Sequence, residues 1–560
     1  MIQALRGLVI SLFLATLVTF VAYKIVTPWN LHIAQDTWFY TDVQHVLNDE
    51  HAGWFEKYVD PFYTARILTF PEPDNARPVF VVLVRAWSEL YASLFDVDVF
   101  PDRDAYFSGI FFSFWLMFLT ICYLGYRGGN LTIGIVAATL SVVSPWALIY
   151  LYYPSYTPIS IFLFTVGILF ILRRTLPSYF LAGVMFWMTI LVNSSHIVFI
   201  AAAGCLILYY EFSNKRRLIY AGLSCFAGFI LPFLPFDLYR VLFCENKDLL
   251  DGPLFTLAKY YRRSILHNKF GSVVTPYYTF YLWTLLKYAS WTAWAFVTGG
   301  LAYALTALAR RKLGERTFDL PKALLLVSFV GIFLIEVRHS VQFPRSYYIV
   351  YPMILLGLLL ILQQKFGAKR YFPHFLAALM AIHLVEAGVR IQEQHTAFHQ
   401  FSQDMQELTA PDEMVAMLDQ DLYGHYELLQ QVLEDDYLKP TDLVDPLRHS
   451  NNIQKFIFLD SLDELADLRE VRYFLTGPRV MNKLAGTIED VDKLIADFNA
   501  RQNRVRLVLA HESPYFEIYP LYLFEDEMQQ YRMLQKKLWG PDAYKGKAGA
   551  VSIWRIEHLQ

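Results

Sequence analysis

Two carboxylates, Asp36 and Asp42, stand on either side of Trp38-Phe39-Tyr40, shortly after the first long apolar run of the chain. Aromatics of this kind sit at a membrane-water interface. Partial desolvation there raises the basicity of a carboxylate, which suits it to take a proton from an attacking hydroxyl or amine. The same residue type is also a good helix N-cap, and Asp36 stands ahead of a helical pattern through Tyr40 to Val46. On residue types alone both uses stay open.

A second set is cationic. Arg66, Arg77, Arg240, Arg262, Arg263, Arg338 and Arg345 fall in segments expected on one side of a membrane. A planar guanidinium binds phosphate or diphosphate bidentately. Arg338 and Arg345 lie at or near the ends of apolar spans, where an unpaired cation is costly; the bland reading is snorkelling to lipid headgroups. His395 and His399, four apart, would share a helix face as a metal pair, yet no third ligand of recognisable spacing accompanies them. His32, His45 and His51 are weaker still, and Asn193-Ser194-Ser195-His196 reads as tight-turn chemistry.

The elements that must position these residues are mostly apolar. The chain has 560 residues, 55% hydrophobic and 17% aromatic, above the apolar share of soluble domains. Spans long enough for a hydrocarbon layer of ~30 Å are expected at 8–26, 106–125, 131–150, 156–172, 178–192, 197–212, 218–235, 289–309, 321–336, 347–363 and 371–389. Arg6, Arg127, Arg173-Arg174, Lys215-Arg216-Arg217, Arg310-Arg311-Lys312 with Arg316, and Lys365 with Lys369-Arg370 then share one side. Cationic short loops stay cytoplasmic, so the N-terminus is expected in the cytoplasm. Loop 27–105, loop 236–288 and everything after 390 are expected on the opposite face. The first run reads as a retained signal-anchor helix.

Within loop 27–105, the stretch from Pro78 to Phe95 is apolar but carries Arg85 and Glu89, which fits a helix lying at the interface. Residues 1–390 hold 31 basic and 22 acidic side chains, whereas 391–560 hold 17 and 29. In that second part, strand-like runs at 414–418, 455–459, 471–475, 505–509 and 551–556 alternate with helical patterns near 461–468, 488–500 and 524–538. A soluble α/β domain over 391–560 is expected. It has neither a Gly-rich phosphate loop nor a nucleophile elbow, and its acidity excludes nucleic-acid binding. The four cysteines lie in or beside apolar stretches and offer no disulfide framework.

The order of these features resembles the GT-C superfamily of polytopic glycosyltransferases, which includes protein O-mannosyltransferases and lipid A aminoarabinose transferases. Gln35-Asp36-Thr37-Trp38-Phe39-Tyr40 is similar to the acidic motif after the first span. Ala76-Arg77-Pro78-Val79-Phe80 stands where a His-Pro-Pro-Leu-like element opens an interface helix. Leu140-Ser141-Val142-Val143-Ser144-Pro145-Trp146 resembles the proline-bearing end of the third span, and Phe343 to Pro352 resembles an Arg-Tyr…Pro opening of a late span. The resemblance covers roughly 1–390, a multi-pass helical fold of about eleven spans.

The resemblance implies transfer of a sugar from a polyprenyl-phosphate donor to an acceptor lipid, glycan or protein on the non-cytoplasmic face, with inversion. Asp36 is then the base and Asp42 the fallback. Arg77, Arg262, Arg263, Arg338, Arg345 and Tyr347 would hold the donor phosphate and its lipid. Thr37 replaces the second acid of the motif, which leaves a divalent cation open and assigns no metal ligand. A polysaccharide polymerase or ligase, or a non-catalytic envelope assembly or transport protein, is the alternative class.

Overall fold

A computed structural model describes residues 2–26, 103–144, 157–192, 196–234, 320–338, 348–409, 413–418, 456–459, 461–476, 479–482, 487–514 and 550–559. It also describes residues 83, 86, 87, 90, 91, 93, 94, 147, 238, 294–300 and 302. The chain forms two compact units, the last boundary between them falling at Gly388/Val389.

The first unit is helical. Its helices are α1 (Ile2–Val26), α2 (Arg103–Arg127), α3 (Leu131–Val142), α4 (Thr157–Leu172), α5 (Leu176–Val192), α6 (Ile197–Glu211), α7 (Lys215–Ile230), α8 (Leu320–Arg338) and α9 (Tyr351–Phe366), the last preceded by a 3-10 turn at Tyr348–Val350. Helix α10 (Phe372–Leu408) runs through the boundary between the units. Each coincides with an expected span, and in the remaining expected span, 289–309, residues 294–300 are helical. Tyr348–Phe366 and Phe372–Val389 are long and apolar enough to cross a membrane, while α3 to α6 are apolar but shorter.

Local chemistry starts and stops these helices. The Asn130 side chain accepts from the Ile133 amide at 3.1 Å and opens α3, and the Asn214 side chain accepts from the Arg217 amide at 3.0 Å and opens α7. Such caps satisfy amides that have no partner within the helix. Helix α3 is interrupted after Val142, and within the rest of the span expected to reach 150 Ala147 is again helical. Pro145 explains this, because it has no N–H to continue the ladder.

Among the described residues of the expected interface helix, Leu83, Ala86, Trp87, Leu90, Tyr91, Ser93 and Leu94 are helical. Leu83, Leu90 and Leu94 are exposed, whereas the Trp87 ring stacks on Phe112 of α2 at 4.2 Å. At 3.6 residues per turn Leu83, Trp87, Leu90 and Leu94 fall on one stripe, so the ring that stacks on α2 stands among the exposed leucines.

Helices α5 and α7 touch backbone to backbone. A Cβ on Gly183 would meet the Cys225 carbonyl oxygen and the Phe229 amide, and one on Gly228 would meet the Phe180 carbonyl. Small residues allow this approach where lipid offers no hydrophobic drive for association. The basic end of the pair is closed by Glu211, which is buried at 2% exposure. Its carboxylate takes Arg174 at 3.3 Å, Arg217 at 2.9 Å and the Tyr179 hydroxyl at 2.7 Å. Arg174 adopts φ 57°, the left-handed conformation that ends α4, and donates to the Tyr210 carbonyl at 3.2 Å.

In the second unit a five-stranded mixed sheet has the order β2-β1-β3-β7-β6. Its strands are β1 (Val415–Leu418), β2 (Phe456–Leu459), β3 (Tyr473–Thr476), β6 (Val505–Pro514) and β7 (Ala550–His558). All five match expected strand-like runs. Strand β1 is parallel to β2 and β3, and β7 is antiparallel to β3 and β6. Helix α11 (Val491–Arg501) is pinned to β6 by Asn499, whose amide donates to the Leu507 carbonyl and accepts from the Leu507 amide, both at 2.8 Å. A hairpin of β4 (Arg479–Asn482) and β5 (Thr487–Asp490) was not expected. It corrects the helical reading of 488–490, because Ile488, Glu489 and Asp490 pair with Met481, Val480 and Arg479. The expected helix at 524–538 lies outside the described residues.

Gly183→Leu or Gly228→Leu forces α5 and α7 apart. It should lower the unfolding temperature of the detergent-purified protein by an amount corresponding to at least the ~1–3 kcal/mol typical of overpacking. Gly222→Ala, which meets nothing within 4 Å, should leave it unchanged in the same thermal scan.

Candidate functional site

Pro145 leaves Ser141 without its helical partner, since the residue four positions on has no N–H to donate. The structure supplies substitutes. The Tyr348 hydroxyl donates to the Ser141 carbonyl at 2.8 Å, and the Ser144 hydroxyl donates to the same oxygen at 3.0 Å. Ser144 Oγ in turn accepts from the Ala147 amide at 3.0 Å, so the chain turns as the helix stops. One residue earlier, His383 Nε2 of α10 bonds the Leu140 carbonyl at 3.0 Å.

Around these contacts the polar groups are enclosed. Tyr348 and Tyr351 are fully buried and stack with centroids 5.9 Å apart. His383 is 2% exposed, and Glu386, one turn further along α10, lies close enough to act electrostatically on both Tyr351 and His383. Three elements distant in sequence, the end of α3, the turn before α9 and the middle of α10, thus converge on two backbone carbonyls. In hydrocarbon an unmet carbonyl costs several kcal/mol. Glu386 is partly exposed, whereas Tyr348 and His383 are spent on the two backbone carbonyls. The role of the junction among the described residues is positional: it fixes the end of α3 against the start of α9 and the middle of α10.

The junction joins two of the stretches on which the sequence resemblance rests, Leu140–Trp146 and Phe343–Pro352, whose bonded residues are 207 positions apart. Of the residues expected to act, Asp36, Asp42, Arg77, Arg262, Arg263, Arg345 and Tyr347 lie outside the described residues. Arg338 is the last residue of α8, and its side chain is not described. His395 and His399 lie on α10, again without described side chains. Among the described residues no three His, Cys, Asp or Glu side chains gather as a metal site.

Reading the sequence missed several polar residues. His196, read only as tight-turn chemistry, stands directly before α6 and is fully buried, with the Ser160 hydroxyl bonded to its Nδ1, tying α4 to the start of α6. Glu211, Tyr348 and His383 carry no local signal beyond being polar residues within apolar runs. That is itself the one available signal, because intramembrane polar groups persist only where something meets them.

No protein-family model matches the sequence, and no curated relative matches it. Solved structures do. One is ArnT from Cupriavidus metallidurans bound to undecaprenyl phosphate, at 10% identity and TM-score 0.46, covering 97% of each chain. A second is the oligosaccharyltransferase AglB from Archaeoglobus fulgidus in complex with an inhibitory peptide and a dolichol-phosphate, at 11% identity and TM-score 0.41, covering 97% of this chain and 88% of that one. The apo form of the Archaeoglobus fulgidus oligosaccharyltransferase is similar at 10% identity and TM-score 0.45. These neighbours are GT-C glycosyltransferases.

Tyr348→Phe removes the hydroxyl and leaves the ring. It should cost about 1–2 kcal/mol, measured as a lower unfolding temperature in detergent. Tyr351→Phe measured alongside it separates loss of this bond from general loosening of the stacked pair, and an unchanged Tyr348→Phe protein would mean that Ser144 alone satisfies the Ser141 carbonyl.

Proposed function

We propose that this chain is a membrane glycosyltransferase that moves a sugar from a polyprenyl-phosphate donor to an acceptor lipid, glycan or protein on the non-cytoplasmic face. The observation that carries the reading is the hydrogen bond from Tyr348 to the Ser141 carbonyl, which joins two of the motif stretches that resemble GT-C enzymes. A chance match of short motifs gives no reason for them to meet. The remaining support is the agreement of six basic loops with an eleven-span arrangement, N-terminus in the cytoplasm and residues 391–560 outside.

In this reading Asp36 accepts the proton of the acceptor hydroxyl or amine. The acceptor atom bonds the anomeric carbon from the face opposite the donor phosphate, the carbon–oxygen bond to phosphate breaks, and the configuration inverts. Polyprenyl phosphate departs with the negative charge, which Arg345 meets together with Arg338, Arg262 and Arg263. Arg77 and Tyr347 bound the lipid groove. Charges aimed at the departing oxygen count for more where water is excluded. Nucleotide sugars stay in the cytoplasm, so an outward-facing site requires a lipid-linked donor. Asp42 is the fallback for the role of base.

The test uses the full-length protein, a polyprenyl-phosphate sugar and a mixture of candidate acceptors, reading both transfer and donor hydrolysis. Asp36→Asn should reduce turnover about 100-fold or more, the range for a lost general base, with the unfolding temperature unchanged. Turnover retained in that variant, or no release of polyprenyl phosphate by the wild-type protein, overturns the reading.

A further inference from the structure

Away from the polar junction, the ends of α2, α4, α6 and α8 surround a cavity of about 260 Å³. One water occupies about 30 Å³ in the liquid, so this space is far larger than a hydration site. Arg127 and Arg173 stand at its margin with Tyr123, and Val166, Leu169 and Phe170 form an apolar wall. Among the described residues no acidic side chain lines it. The cavity is on the side of the chain that carries the basic loops.

Two kinds of arginine occur on this side. Arg174 and Arg217 are both paired with the one buried carboxylate of Glu211. Arg127 and Arg173, in contrast, make no ion pair among the described residues; Arg173 lies over the Phe170 ring at 5.5 Å, and Arg127 ends α2. The helix dipole favours a cation at each position, since Arg127 ends α2 and Arg173 directly follows α4, and the two helix ends bring both side chains to the same cavity. Two guanidinium groups over an apolar wall match a phosphate diester joined to acyl chains.

We infer that this cavity binds the headgroup of an anionic phospholipid of the cytoplasmic leaflet, with Arg127 and Arg173 on its phosphate and an acyl chain along Val166, Leu169 and Phe170. The leaflet follows from the proposed orientation; the site itself does not depend on transferase activity. The occupant is anionic because the cavity has two unneutralised positive charges, and lipid-borne because its wall is apolar and opens among helix ends.

Full-length protein in neutral detergent tests this by titration with phosphatidylglycerol, phosphatidylcholine or inorganic phosphate, reading retained lipid by native mass spectrometry and the unfolding temperature. Phosphatidylglycerol should be retained and stabilising, and phosphatidylcholine should not. At about 1 kcal/mol for each arginine, Arg127→Gln and Arg173→Gln should each weaken retention about fivefold and the double variant about thirtyfold. Arg216→Gln, on the same side but outside the cavity, should retain the lipid as the wild type does. Equal binding of phosphatidylcholine overturns the proposal, as does full stabilisation by inorganic phosphate alone or equal weakening by Arg216→Gln. The lipid comparison on the wild-type protein decides the matter even if the double variant does not fold.

Discussion

A backbone carbonyl without a partner cannot persist in hydrocarbon, and the architecture of the helical unit turns on how one such carbonyl is met. Pro145 denies Ser141 its helical donor, and the carbonyl oxygens of Leu140 and Ser141, at the end of α3, draw on donors from other elements. They find them in Tyr348 and His383. The donors are aromatic side chains on other helices, so meeting the backbone also locks α3, the turn before α9 and α10 to one another. A helix defect becomes the fastening point of three elements.

A similar economy operates at the other end of the bundle. Glu211 would be costly alone, because a buried unpaired carboxylate carries a desolvation penalty of several kcal/mol. Held between Arg174, Arg217 and Tyr179, it connects the α4–α5 turn to the α6–α7 turn. Arg174 reaches it from a left-handed backbone position, a conformation unfavourable for a side chain of this kind. Between these polar ends, Gly183 and Gly228 bring α5 and α7 into backbone contact.

Much of this layout was legible in the sequence because a bilayer imposes a simple rule on length and polarity. The helices from α1 to α10 fall where apolar runs of suitable length occur. The break in α3 after Val142 was readable from Pro145. In the second unit, β1, β2, β3, β6 and β7 appear as short β-branched or aromatic runs. The β4–β5 hairpin escaped because Arg479–Asn482 and Thr487–Asp490 mix charged with apolar residues and lack a strong strand period. Tertiary partners were not legible at all. Nothing local to Ser141 points to Tyr348, since the pairing is set by how three helices pack. For the candidate site, the sequence supplied Asp36 and the arginines through their order and their resemblance to a family. The structure supplied a junction that the sequence did not name.

The Glu211 cluster has a consequence for the order in which the protein is made. During membrane insertion, orientation responds to Lys and Arg and little to Asp or Glu. Arg174 and Arg217 therefore act first as free positive charges that hold their loops on the cytoplasmic side in the proposed orientation. Only when α6 and α7 pack do they become partners of the buried carboxylate. The same two side chains are thus a sorting signal in the nascent chain and the two partners of one buried carboxylate in the finished one.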